Sequence, residues 1–77
     1  METSLVRALV AAKMREYYPN ATLWPNGLGF DTRGWSFSYS EQDHKWHVSK
    51  TRKGIRVHGV GENPFDAYAH ARPVREG

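Results

Sequence analysis

Trp35-Ser36-Phe37-Ser38-Tyr39 decides the fold, because a large aromatic side chain alternates with serine at every step. Successive side chains of a strand point to opposite faces, so Trp35, Phe37 and Tyr39 share one face and the serines the other. Lys45-Trp46-His47-Val48-Ser49 repeats the alternation with Trp46 and Val48 inward, and Ile55-Arg56-Val57-His58 with Ile55 and Val57 inward. The connections Ser40–His44 and Lys50–Gly54 are short and polar, as antiparallel hairpins require. Three strands that are apolar on one face only need a cover.

Two helices supply it. Upstream, Leu5, Val6, Leu9, Val10, Met14 and Tyr17 recur at spacings of three and four. This predicts an amphipathic helix capped by Thr3 or Ser4 and stopped by Pro19. Downstream, Asn63-Pro64-Phe65-Asp66 is a helix start, with Asn as N-cap, Pro at the first position and an acid near the positive end of the dipole. Phe65, Tyr68, Ala69 and Arg72 form its expected inward stripe, and Gly59-Val60-Gly61 reads as the turn before it. Pro25-Asn26-Gly27 is turn chemistry that either closes a small hairpin between Thr22–Trp24 and Leu28–Phe30 or shapes a loop. Trp24, Leu28 and Phe30 are expected to plug one end of the core. The result is a small single α+β domain over residues 1–72, ordered α-β-β-β-α. Its three-stranded antiparallel sheet packs on two helices, and residues 73–77 form a flexible C-terminal tail.

At 77 residues the chain has room for one domain, and one this small buries only roughly 60–65% of its unfolded surface. It has no cysteine, which excludes disulfides and thiolate zinc sites and suits a reducing cytoplasm. Packing must carry the stability, and three Trp, four Tyr and three Phe provide the area. No apolar run is long enough to span a membrane, and the acid in Met1-Glu2-Thr3-Ser4 argues against a targeting segment.

The net charge is +3, but it is unevenly placed. Lys45, Lys50, Arg52, Lys53 and Arg56 lie in a window from His44 to Gly61 that holds no acid. By parity the open sheet face carries Ser36, Ser38, Lys45, His47, Ser49, Arg56 and His58, with Lys50, Arg52 and Lys53 in the hairpin loop beside it. Donors and cations of this kind suit phosphate oxygens, although a solvated face with a charge-guarded edge looks much the same. Arg33, Tyr39 and Lys50–Lys53 also suit a protein interface, as does Trp24 if its turn leaves it exposed.

His44 and His47 point to opposite faces of a strand and so make no metal pair. His47 and His58 stand close on the open face, but two imidazoles without a carboxylate nearby are a weak site, and no metal or cofactor is expected. They would make binding pH-sensitive. Glu41 and Asp43 fall in a hairpin loop without a pocket. With no nucleophile motif and no phosphate-binding glycine loop of the usual spacing, the chain is expected not to be an enzyme.

The α-β-β-β-α order resembles that of double-stranded-RNA-binding domains, which begin their last helix with Lys-Lys-x-Ala-Lys. Pro64-Phe65-Asp66-Ala67-Tyr68 matches that run only at Ala67, so the family's phosphate contact does not carry over. In size and aromatic richness the chain also resembles small accessory proteins of phages and mobile elements, including anti-CRISPR proteins.

The expected function is that of a non-enzymatic accessory protein setting Lys45, His47, Lys50, Arg52, Lys53, Arg56 and His58 on a nucleic-acid backbone. The alternative is a small phage- or mobile-element-type inhibitor, anti-CRISPR-like, that docks the same surface on an acidic or nucleic-acid-handling protein complex. Neither reading involves a membrane, and a dimer through the open face or a free edge strand is compatible with both.

Overall fold

The alternating stretch forms the middle of a wider sheet than the sequence predicts. The computed structural model describes residues 3–74, with side chains from Ser4 onward. Its elements are α1 (Thr3–Tyr17), β1 (Thr22–Leu23), β2 (Gly29–Thr32), β3 (Trp35–Ser40), β4 (Lys45–Arg52), β5 (Ile55–Gly61), α2 (Pro64–Ala69) and β6 (Arg72–Pro73). The six strands pair in sequence order, every pair antiparallel. The domain is therefore α+β, with three strands beyond the expected three.

Each extra strand has a local cause. Gly27 N–H donates to Trp24 O at 2.9 Å, and Asn26 Oδ1 accepts from Leu28 N–H at 2.9 Å. These bonds fix the Pro-Asn-Gly turn, so the hairpin alternative holds and β1 pairs with β2. At the other edge Pro73, expected in the tail, pairs with Val57, and Val74 N–H donates to Arg56 O at 2.8 Å. Residues 75–77 of that tail, and Met1-Glu2, lie outside the described residues. Because α2 lies between β5 and β6, the likeness to the double-stranded-RNA-binding order does not extend to the topology.

The core lies between the helices and one sheet face. Val6 and Val10 of α1 meet Phe30, Phe37, Trp46 and Val48, and Ala67 comes from α2. Phe30 and Phe37, paired across β2 and β3, stack with centroids 5.0 Å apart, and Tyr18 closes over Phe37 at 4.9 Å. The stripe of α1 is narrower than its periodicity implies, since Leu5 remains 59% exposed. Thr3 and Ser4 already lie inside α1 and do not precede it.

Three corrections concern the second half of the chain. Gly59 and Gly61 belong to β5, not to a turn, and both are buried beneath α2. A Cβ on Gly59 would run into the Ala67 carbonyl oxygen, and one on Gly61 would stand 2.7 Å from Asp66 Cβ. The helix backbone therefore sits directly on the strand, a close approach that only glycine permits. This turns Pro64 and Ala67 inward and leaves Phe65 and Tyr68 outside, against the expected stripe. The helix start is as expected: Asn63 Oδ1 accepts from Asp66 N–H at 2.8 Å, with Pro64 following. The third correction is the β4–β5 hairpin, whose only connecting residues are Lys53 and Gly54. Its arm runs past the end of β3, beyond the cover of the helices. Ile55, expected inward, is consequently 56% exposed.

Candidate functional site

The register separates the predicted site residues. Cross-strand partners share a face, and Ser38↔His47, Ser40↔Lys45, Ser49↔His58 and Thr51↔Arg56 are all pairs of the open face. Lys45, His47, Arg56 and His58 therefore lie where parity puts them. Lys50 and Arg52 do not belong to a loop: they are strand residues on the helix side, partnered by Val57 and Ile55. Lys53 stands at the hairpin tip.

Two of the open-face residues are already engaged by acids just outside the acid-free window. Lys45 Nζ donates to Glu62 Oε1 at 2.8 Å, and the Glu62 hydrogen bond and charge raise the lysine's pKa. Asp43 Oδ2 lies 2.9 Å from His47 Nε2. That hydrogen bond, helped by others from Ser40 and the Lys45 backbone, holds the Asp43 carboxyl below its ordinary value. His47 Nδ1 in turn lies 3.1 Å from His58 Nε2. The two imidazoles thus do have a carboxylate nearby, and it comes from the hairpin loop. Burial first, then His47 and Arg56, push the His58 imidazole below its ordinary value. Among the described residues no group of three or more His, Asp or Glu is arranged to hold a metal.

Trp24 joins this face as well. Its Nε1 donates to Asp31 Oδ1 at 2.9 Å, and its ring covers Gly29, where a Cβ would collide with it. Both Asp31 and Gly29 are open-face residues, opposite Ser36 and Ser38. Trp24 is therefore half-buried on the open face and does not plug the core.

Five cations with no acid partner among the described residues, Arg33, Lys50, Arg52, Lys53 and Arg56, gather elsewhere. Arg33-Gly34 joins β2 to β3 and Lys53-Gly54 joins β4 to β5, and in a sequential meander both turns project from the same end. Arg33 (φ 52°) and Lys53 (φ 51°) are left-handed, each before a left-handed glycine, as in type I′ hairpins. Lys50 Nζ lies 5.3 Å from the Trp35 ring centroid at this end. Arg52 and Arg56 flank the Lys53 tip. These five cations form a basic cap over one end of the sheet that wraps both faces.

Beside the cap, on the helix side, a groove of about 470 Å³ runs between the end of α1 and α2. Tyr17, Tyr18, Trp35, Phe65 and Tyr68 line it, and Arg33 is its one charged lining residue among those described. Sequence reasoning missed this groove. The signal was Gly-x-Gly in a strand with Ala67 three positions into the next helix. Such a helix must lie close, and its large side chains must then turn away.

No protein-family model matches the chain, and no curated protein or solved structure matches it significantly.

Proposed function

We propose that this chain is a nucleic-acid-binding module that acts by contact, not by catalysis, and uses the basic sheet end on backbone phosphates. The observation that carries the reading is the pair of hairpin tips. Both place a long cation at a left-handed position where Asn, Asp or Gly is preferred, and both stand at the same end of the sheet. Local strain that serves no packing is a pointer to function. Lys50, Arg52 and Arg56 extend the same field, and none of the five is ion-paired among the described residues. Lys45, His47 and His58 contribute less on this reading, since Glu62 and Asp43 already compensate the first two. The Lys-Gly tip projects on an exposed arm, a shape that can follow a phosphate chain.

A second reading keeps the same surface for an acidic protein partner, as in a small phage-type inhibitor. The exposed Phe65 and Tyr68 beside the cations favour it.

Titration of labelled single and double strands, of DNA and of RNA, tests both readings. Backbone contact makes log affinity fall linearly with log salt, by about 0.7–0.9 per phosphate neutralised. The triple change Lys50→Glu, Arg52→Glu, Lys53→Glu then removes most of the binding. Absence of binding at low salt, or affinity indifferent to the triple change, would hand the surface to a protein partner.

A further inference from the structure

The aromatic groove is not explained by folding. Phe65 is 58% and Tyr68 46% exposed, on a six-residue helix that needs only Pro64 and Ala67 to sit on the sheet. Tyr68 meets the Trp35 ring edge-on at 5.1 Å, and Lys50 lies over the same ring. Flat rings therefore stand open to solvent beside cations. No carboxylate lines the groove among the described residues, so it suits an uncharged or electron-rich planar group attached to a negative charge.

Resting on the reading that the basic end contacts nucleic-acid backbone, we propose that this groove takes unpaired bases, so that the preferred ligand is a single strand. A duplex hides its base faces in the stack, whereas a single strand offers them to aromatic side chains. Phe65 and Tyr68 are the accessible platforms. Trp35 forms the floor, and Tyr17 and Tyr18 form the opposite wall. Arg33, at the groove and at a hairpin tip together, joins the stacked base to the phosphate track that continues over Lys50, Arg52 and Lys53. The volume fits a ligand of this size.

The test is anisotropy with three probes of about twelve nucleotides: a normal DNA single strand, an abasic strand of equal length, and a duplex. The abasic strand keeps the phosphates and lacks the bases. The normal strand should bind at least about tenfold more tightly than the abasic one, because each stacked base contributes roughly that much. Phe65→Ala with Tyr68→Ala should remove that advantage and leave abasic binding unchanged. Both positions are exposed, and the wild-type comparison of normal with abasic strand stands even if the variant misfolds. Equal affinity for normal and abasic strands overturns the groove proposal and leaves the backbone reading intact. No binding of any probe at low salt overturns both, and an acidic peptide then becomes the occupant to pursue.

Discussion

Arg33 and Lys53 hold the same backbone conformation, φ 52° and 51°, in two separate turns that project from one end of the sheet. A left-handed residue with a long side chain costs about 1 kcal/mol relative to one that tolerates the region, and Asn before Gly is the preferred pair for such a turn. Arg33→Asn and Lys53→Asn should therefore each raise stability by about 0.5–1 kcal/mol in urea unfolding. The same changes should weaken single-strand binding and flatten its salt dependence by about 0.7 for each phosphate no longer neutralised. Opposite signs for stability and affinity mark a cation held for function. A stabilised variant with undiminished affinity would mean that the tips touch nothing.

Gly59 and Ala67 show how tightly α2 is seated. The Ala67 carbonyl and the Ala71 backbone occupy the space a side chain at Gly59 would need. Neither neighbour is the end of a flexible side chain, so Gly59→Ala must lift the helix off the sheet. The expected loss is about 3 kcal/mol, the upper part of the usual cost of overpacking. Thermal unfolding with intact far-ultraviolet dichroism at low temperature would measure it. Gly54→Ala meets no neighbour but forces a left-handed alanine, so its cost should be confined to about 1 kcal/mol. Equal losses at the two glycines would refute the seating argument.

The Asp43–His47–His58 chain makes the open face sensitive to acid. The His58 imidazole also feels the charge of Arg56 on its own strand. Its folded pKa is lowered by burial, His47 and Arg56, so the unfolded chain binds this proton more readily than the folded one. The stabilisation is complete above the unfolded value near about 6.5 and is lost as pH falls through the lower folded value. Melting temperature should therefore drop between about pH 7.5 and about pH 5, and His58→Gln should flatten that drop. A profile identical in wild type and variant would place the acid sensitivity in another group.

What was legible in the sequence and what was not divides on physical grounds. Strict alternation at Trp35–Tyr39 and Trp46–Val48 gave strands and faces, because period two has one structural meaning. The expected Lys50–Gly54 connection, by contrast, is too long, since Lys50 and Arg52 continue β4. The Asn63-Pro64-Phe65-Asp66 start was equally clear, since cap chemistry is local. Gly29-Phe30-Asp31-Thr32 carries a single aromatic and no alternation, so the Pro-Asn-Gly turn leaves hairpin and loop both open, and the strand is fixed by packing in which Phe30 stacks on Phe37. The pairing of Lys45 with Glu62 spans seventeen residues and depends on where β5 ends. Counting acids within a window could not find it. Exposure of Phe65 and Tyr68 follows from the missing Cβ atoms of Gly59 and Gly61, a property of the partner strand and not of the helix that carries the rings.

The ion pairs of the open face permit a last prediction, which separates charge in the composition from charge available to a ligand. Lys45 and His47 are held by Glu62 and Asp43, whereas Arg52, Lys53 and Arg56 have no acid partner among the described residues. A phosphate approaching Lys45 must first compete with a carboxylate at 2.8 Å. Lys45→Gln should therefore change nucleic-acid affinity by less than about twofold at moderate salt, because exposed pairs of this kind contribute little either way. Glu62→Gln should strengthen binding by freeing the lysine. Arg52→Gln and Arg56→Gln should each weaken binding several-fold and lower the salt slope, with Lys45→Gln leaving that slope unchanged. If instead Lys45→Gln is as damaging as Arg56→Gln, the ligand lies across the open face, and the aromatic groove on the opposite side is not part of its path.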